Sequence, residues 1–328
     1  MRAVLCRKWG GPEKLSLGEM PAPSPGPGEV RLAIAAAGVN FADLLMIGGQ
    51  YQVRPPLPFS PGLECAGTVL ECGAGVSRVR PGDRVLALLD HGGYAEQATA
   101  RESDVFPLPE GLDLATAAGF AIAYGTAQGA LRWEADLQPG ERLLVHGAGG
   151  GVGLAAVEVG KCLGAEVIAT AGDAEKLALA RAHGADHVID YRSEDLRGRI
   201  REICGGGVDV VFDPVGGAVF DASLRSANWG GRIVVVGFAS GQVPQIPANI
   251  LLVRNVAALG FYWGSYRKHR PDMLPPAFED LFGWWRAGRL KPHVSHQMDL
   301  ARAAEALALL RDRRSTGKLV LTIGTGPA

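Results

Sequence analysis

The residues with the clearest chemical potential lie in the run Leu143-Leu-Val-His-Gly-Ala-Gly-Gly-Gly-Val-Gly-Leu154. Gly147, Gly149, Gly150, Gly151 and Gly153, with Val152 among them, follow a short apolar strand and open a helix-like stretch. The spacing is Gly147-x-x-Gly150-x-x-Gly153, not G-x-G-x-x-G. The chemistry is the same. Backbone without Cβ turns sharply and approaches a pyrophosphate, and a helix N-terminus offers N–H donors and the positive end of its dipole. A tight strand-to-helix turn alone would use similar glycines. The regular alternation around this one points to a dinucleotide.

The end of the next strand decides which dinucleotide. A carboxylate there would hold a ribose 2′-hydroxyl and select NAD. Here Thr170 and Ala171 occupy that place, and Asp173 reads as a helix cap. A 2′-phosphate is therefore tolerated, with Lys176 and Tyr191 as its partners and Arg192 in reserve. NADPH is the expected cofactor.

The elements that must position these groups are strands and helices alternating every 20–25 residues. The strands are Arg142–His146, Glu166–Thr170, His187–Asp190, Val208–Asp213, Arg232–Val236 and Val256–Tyr262. Helices are expected over Val152–Leu163, Ala174–His183, Asp195–Cys204 and Val219–Asn228, with a connecting helix at Ile250–Leu252. That order calls for βαβ units around a parallel sheet. The first ~120 residues differ, with Gly/Pro punctuation and β-like runs at Val30–Ala36, Cys65–Glu71 and Arg84–Leu89. The tail has amphipathic helices at Pro276–Ala287 and Ala301–Arg311 and a last strand at Lys318–Thr322. The expected organisation is α/β, with an outer β-rich domain from residues 1–121 and 264–328 and an inserted doubly wound domain at 122–263.

Composition narrows the classes. The 328 residues carry 33 Lys+Arg and 34 Asp+Glu, a net charge of −1, which argues against a phosphate-neutralising nucleic-acid binder. Glycine is abundant, 46 residues, about twice the usual ~7% share, and serves turns and close approaches. Five scattered cysteines form no C-x-x-C, so neither a disulfide framework nor a thiolate zinc cluster is expected, and a reducing, cytoplasmic setting fits. The longest uncharged stretch, Leu114–Leu131, reads as a buried helix and turn rather than a membrane span.

The chain also resembles the medium-chain dehydrogenase/reductase superfamily, nearest its zinc-free quinone oxidoreductase branch. The likeness rests on Ala36-Ala-Gly-Val-Asn-Phe-Ala-Asp43, Pro58-Phe-Ser-Pro-Gly-Leu-Glu-Cys-Ala-Gly67 and Arg80-Pro-Gly-Asp-Arg-Val85. Gly92-Gly-Tyr-Ala-Glu96, Tyr124-Gly-Thr-Ala127, the glycine loop, Gly184-Ala-Asp-His-Val-Ile-Asp-Tyr191 and Gly317-Lys-Leu-Val-Leu321 extend it. The resemblance implies a GroES-like catalytic domain with an inserted Rossmann domain. Zinc alcohol dehydrogenases of this superfamily use a Cys in the first segment and Gly-His-Glu in the second. The matching residues are Asn40 and Leu63, so no metal is expected, and Glu64, Cys65 and His91 read as structural.

By the same resemblance, Asn40 lies near the nicotinamide ribose and the substrate carbonyl, and Tyr51 lines the mouth where its hydroxyl polarises an oxygen. Asp43, three residues after Asn40, orients it. Asn40 also suits the cap of a helix over Phe41–Ile47. Thr126 meets the carboxamide, Gly237, Phe238, Ala239 and Phe261 face the nicotinamide half, and Lys318 makes the closing cofactor contact. The expected reaction is NADPH-dependent reduction of a quinone or related conjugated carbonyl. Enone, enoyl or acyl-CoA reduction is the alternative, and a crystallin-like or RNA-binding NADPH protein without turnover is a third. The apolar sixth strand would leave a sheet edge open, so a homodimer is expected.

Overall fold

The computed structural model describes residues 1–324 and divides the chain into two compact units. Unit 1 takes Met1–Ile122 and the chain from Pro292 onward, and unit 2 takes Ala123–Lys291. In unit 1, β1 (Arg2–Cys6) and β2 (Leu15–Glu19) form an antiparallel pair. Then follow β3 (Glu29–Val39), α1 (Phe41–Ile47), β4 (Glu64–Cys72), β5 (Arg84–Leu88), β6 (Gln97–Arg101), β7 (Val105–Pro107) and α2 (Leu114–Ala118). Helix α3 (Ala121–Gln128) begins at the unit boundary and runs into a π-helical turn, Gly129–Glu134.

Unit 2 continues with β8 (Arg142–Val145), α4 (Gly151–Cys162), β9 (Glu166–Ala171), α5 (Ala174–Ala182), β10 (His187–Asp190), α6 (Leu196–Cys204) and β11 (Val208–Asp213). It closes with α7 (Ala218–Ser226), β12 (Ala227–Val235), α8 (Ala248–Arg254), β13 (Ala257–Gly260), α9 (Tyr266–His269) and α10 (Leu274–Arg286). The chain then returns to unit 1 for β14 (Val294–Asp299), α11 (Ala303–Arg311) and β15 (Lys318–Thr322).

The six strands of unit 2 form one wholly parallel sheet in the order β10-β9-β8-β11-β12-β13. The reversal at β8/β11 is the switch point where doubly wound sheets bind ligands, outside the strands' carboxyl ends. Strands buried on both faces read as unbroken apolar runs, and Val210, Val211 and Phe212 are fully buried. Helix starts are capped as their sequences require: the Asp173 carboxylate accepts from Lys176 N at 2.9 Å, and that of Asp195 from Arg197 N and Gly198 N.

Unit 1 is built on a seven-stranded sheet in which the long β3 pairs with β15, β4 and β6. Its core gathers Val30, Leu32, Ile34, Val85, Leu319 and Leu321. Where β3 and β4 approach most closely, a Cβ on Gly67 would stand 1.9 Å from the carbonyl oxygen of Ala33, so only glycine fits.

The boundary expected at 263/264 is corrected. Residues 264–291 belong to unit 2, held by contacts made from within it. The Tyr266 hydroxyl donates to Glu134 Oε1 at 2.6 Å and its ring lies 4.9 Å from that of Trp133. Phe278 packs edge-on to Trp263, and Arg132 pairs with Asp280 at 2.8 Å. Amphipathic α10 therefore buries its apolar stripe in the inserted domain.

Candidate functional site

In unit 1 the sheet register assembles a polar cluster inside an apolar core. Leu319 lies opposite Val39, so Lys318 comes beside Asn40, and Cys65 opposite Ala37 brings Glu64 beside Gly38. The Lys318 ammonium donates to Asn40 Oδ1 at 2.7 Å, to Glu64 Oε1 at 2.8 Å and to the Val39 carbonyl at 3.1 Å. Asn40 Nδ2 donates to Glu64 Oε1 at 2.9 Å, and the backbone N–H of Ile122 donates to Glu64 Oε2 at 2.8 Å. Glu64 is fully buried, and Asn40 and Lys318 are nearly so. Burying two opposite charges is tolerable only when they are paired and their remaining hydrogen-bond capacity is met, as here.

Two glycines make room for this cluster. A Cβ on Gly38 would fall 2.3 Å from Glu64 Oε1 and 2.4 Å from the backbone oxygen of Ala118. One on Gly119 would press the Lys318 side chain at 3.2 Å.

Asp43 sits one turn into α1. Its Oδ2 accepts from the Asn40 N–H at 2.8 Å and from the Tyr94 hydroxyl at 2.8 Å. Asn40 is thus the N-cap residue of α1, and Asp43 at the third helical position reaches back to it. Asp43 is completely buried and its Oδ1 has no hydrogen-bond partner. Burial pushes its carboxyl up to about 7 against the opposing pull of the Tyr94 and Asn40 hydrogen bonds. Burial also raises the Tyr94 phenol well above its ordinary value. Asp43 therefore positions Asn40 and is itself walled off. Tyr51 is half-buried against the unit 1 core.

In unit 2 the glycine loop lies between β8 and α4. Gly147 adopts a left-handed conformation (φ +60), and a Cβ on Gly153 would lie 2.2 Å from the Gly147 oxygen, so the helix packs directly on the turn. Gly150 is the N-cap of α4 and brings no side chain to its N–H groups. The first-turn donors of Gly151, Val152 and Gly153 are thus available to an anion.

The groups expected around a 2′-phosphate lie at two glycines, Gly149 of this loop and Gly172 after β9. The Lys176 stem crosses Gly149, where a Cβ would stand 2.5 Å away, and Lys176 Nζ lies 3.0 Å from Asp173 Oδ2. A Cβ on Gly172 would stand 2.8 Å from both the Tyr191 hydroxyl and Arg192 Nε. Glycine at 149 leaves room for the lysine and glycine at 172 for the tyrosine and arginine, and both Lys176 and Arg192 act on Asp173.

The remaining expected residues are placed as follows. Thr170 is fully buried with its hydroxyl 2.8 Å from His146 Nδ1, while His146 Nε2 lies 2.6 Å from the Ser223 hydroxyl. Its hydroxyl serves the sheet interior, and burial holds His146 below the ordinary imidazole range. Lys318, expected as a cofactor contact, spends its ammonium on three acceptors of its own unit. Phe261 is buried against the Trp133 and Tyr266 rings, and Thr126 is buried in α3. Gly237, Phe238 and Ala239 follow β12, and Ala239 N donates to the Pro214 carbonyl at 3.0 Å. Glu64 and Tyr94 complete the unit 1 cluster without having been singled out for it. The available signal was a carboxylate within an apolar segment and one unpaired lysine within another.

The donor set does not suit zinc. Leu63 has no donor, and Cys65 is fully buried with its thiol pushed up to about 12 by burial. Glu64 Oε1 already carries the Lys318 ammonium. Among the described residues no cluster of His, Cys, Asp or Glu could hold a metal, and no helix is long and apolar enough to cross a membrane.

Comparison with known proteins shows the family. Residues 26–110 match the alcohol dehydrogenase GroES-like domain, and residues 151–279 match the family described as zinc-binding dehydrogenase. The chain is 41% identical to quinone oxidoreductase-like protein 2 of Bos taurus over 324 residues, covering 98% of this chain and 92% of that one. Among solved structures, Escherichia coli quinone oxidoreductase complexed with NADPH superposes with a TM-score of 0.92 at 32% identity, covering 98% of this chain and all of that one. The Thermus thermophilus quinone oxidoreductase, also solved in complex with NADPH, gives 0.86 at 36% identity over 98% of this chain and 100% of that one.

Proposed function

Because the chain belongs to the quinone oxidoreductase branch of the medium-chain dehydrogenase/reductase superfamily, we propose that it is an NADPH-dependent, zinc-independent reductase of quinones or related conjugated carbonyls. The observation that carries the metal-free part is the buried Lys318–Glu64–Asn40 cluster, in which Asn40 occupies the position matched to a zinc-ligand cysteine. An ammonium bonded to the carboxylate repels a divalent cation and leaves no open coordination set.

NADPH supplies a hydride from nicotinamide C4. The N–H groups of Gly151, Val152 and Gly153 would hold its pyrophosphate, and Lys176, Tyr191 and Arg192 would hold its 2′-phosphate. Gly237, Phe238, Ala239, Phe261 and Thr126 would flank the nicotinamide half. A conjugated acceptor needs little acid assistance, because the charge arriving with the hydride spreads onto oxygen. The protein's work is then orientation and charge stabilisation, with Tyr51 polarising the acceptor oxygen and Asp43 holding Asn40 in place.

The same reading includes a homodimer and a reducing, cytoplasmic setting. Edge strand β13 leaves Ala257 and Gly260 exposed, Leu252 and Val253 stand nearly bare just before it, and so does Trp229 in the paired strand β12. Pairing of two β13 edges about a two-fold axis would cover them. All five cysteines are unpaired.

The test is steady-state kinetics with NADPH and NADH against a quinone panel and an enone and acyl-CoA panel, with and without a chelator. Chelator-insensitive, NADPH-preferring quinone turnover is expected. Turnover confined to acyl-CoA thioesters would replace the substrate class, and activity lost to chelator and restored by zinc would overturn the metal-free reading.

A further inference from the structure

Asn40 is surrounded by groups whose chemistry permits only one orientation of its amide. An ammonium can only donate, so the atom facing Lys318 must be the oxygen. A carboxylate can only accept, so the atom facing Glu64 must be the nitrogen. The second Nδ2 hydrogen points to the Gly38 carbonyl at 3.4 Å. Both amide hydrogens are therefore directed into the protein, and Oδ1 keeps one lone pair beyond the bond from Lys318.

We infer that Lys318 is a positioning residue that locks Asn40 as a hydrogen-bond acceptor, so that Asn40 accepts a hydrogen bond from a ligand hydroxyl and donates none to a carbonyl oxygen. This replaces the role first expected of Asn40 at the substrate carbonyl. It deepens the proposed function and rests on it for the identity of the ligand. The ligand chemistry is a hydroxyl group, supplied either by a ribose of the dinucleotide or by the hydroquinone product.

Three features hold the lock. The backbone of Asn40 is fixed from behind by Asp43, which is fixed in turn by Tyr94. The Glu64 carboxylate is pinned on its far side by the Ile122 N–H. Gly38 and Gly119 leave the space that the carboxylate and the lysine stem fill, so neither has an alternative place. Flipping the amide would set N–H₂ against an ammonium and oxygen against a carboxylate, two unfavourable contacts in a buried setting.

The experiment has two parts, done on the full-length protein. In the first, the Asn40 side-chain amide protons are identified by NMR in the cofactor-free protein, through their disappearance in Asn40→Asp. They are expected to exchange with solvent at least tenfold more slowly than exposed asparagines, and to lose that protection in Lys318→Met but keep most of it in Lys318→Arg. Unprotected protons, or protection indifferent to Lys318→Met in a folded variant, would overturn the inference.

In the second part, NADPH dissociation constants and hydroquinone inhibition constants are measured for Asn40→Ala, Asn40→Asp and the double variant Asn40→Asp/Glu64→Gln, with thermal melts alongside. Asn40→Ala is expected to weaken ligand binding at least tenfold. The double variant preserves the net charge and an acceptor at position 40 while removing the amide donor there, so it is expected to recover most of that loss. Asn40→Asp alone places two carboxylates against one ammonium and recovers less. A loss in NADPH affinity identifies the ribose hydroxyl, and a loss confined to hydroquinone inhibition identifies the product. A folded double variant no better than Asn40→Ala would show that Asn40 acts as a donor. Wild-type protein that binds no NADPH would sink the proposed function alone, leaving the exchange result to decide the lock.

Discussion

At the unit 1 cluster, side chains bond to one another, whereas the unit 2 loop keeps its backbone donors in reserve. Asn40, Glu64 and Lys318 spend nearly all their capacity on each other and on nearby backbone groups, in room that Gly38 and Gly119 leave by having no Cβ. At the N-terminus of α4 the N-cap is Gly150, with no side-chain cap bond to spend its N–H groups. Glycine serves both places for different reasons. In unit 1 its missing Cβ is filled by protein, and in unit 2 it keeps a surface open for a ligand. A saturated cluster sets geometry and charge, and an unsaturated loop binds.

The comparison can be broken most forcefully in unit 1. Lys318→Met strands the Glu64 carboxylate and is expected to cost about 3–5 kcal/mol of stability, the range for removing one partner of a buried pair. Urea or thermal unfolding measures it, and a loss under about 1 kcal/mol would mean the pair is more hydrated than its burial indicates.

In unit 2, Gly153→Ala drives a Cβ to within 2.2 Å of the Gly147 backbone oxygen. The expected cost is about 1–3 kcal/mol, the range for overpacking, with NADPH affinity falling as the loop and α4 separate. Calorimetric titration beside a melt checks both, and unchanged NADPH affinity would show that the loop does not face the pyrophosphate.

Lys176→Ala leaves the fold in place and removes one charged hydrogen bond. NADPH affinity should fall about 10- to 100-fold, following the ~1.5–3 kcal/mol of such a bond, while NADH affinity stays nearly constant. Equal losses for both cofactors would remove Lys176 from the 2′-phosphate.

The smallest effect at a single pH is expected from Asp43→Asn, within about 1 kcal/mol near pH 5, as for many near-isosteric changes. Its signature is a slope. The folded carboxyl titrates at about 7 and its ordinary value is 3.8, so the folded state holds the extra proton between them. Stability from this group is full below about pH 4 and is lost as pH rises through 7. Asp43→Asn should flatten that part of the melting-temperature profile, and an unchanged slope would place the titration elsewhere.

Much of this architecture was legible in the sequence, for local reasons. Strands His187–Asp190, Val208–Asp213 and Lys318–Thr322 and helix Phe41–Ile47 appear with the bounds expected of them. Each is a short apolar or capped segment that carries its own signal. The pair β1–β2, the strand β6 and the polar strand β14 were not legible, because partners elsewhere define them. Residues 264–291 were assigned to the wrong unit because an amphipathic helix shows which face is apolar but not what will cover it.

The same limit governs the site. Asn40, Asp43 and Lys318 each stood out in the sequence, but the bond between Asn40 and Lys318 spans 278 positions and the one from Lys318 to Glu64 spans 254. Only the register of β15 and β4 on β3 closes those distances. Thr170 shows the reverse case: its position at a strand end pointed outward, and its hydroxyl turned inward to His146.

The Lys318–Glu64 pair also bears on how such a chain could change its chemistry by successive substitutions. Recruiting a divalent ion would require thiolate and imidazole donors at positions 40 and 63, yet the one at 40 would arrive beside an ammonium that keeps the ion away. Deleting the lysine beforehand leaves an abandoned anion in the interior. Every single-step route therefore crosses a handicapped intermediate, and the present arrangement acts as a ratchet against reversal.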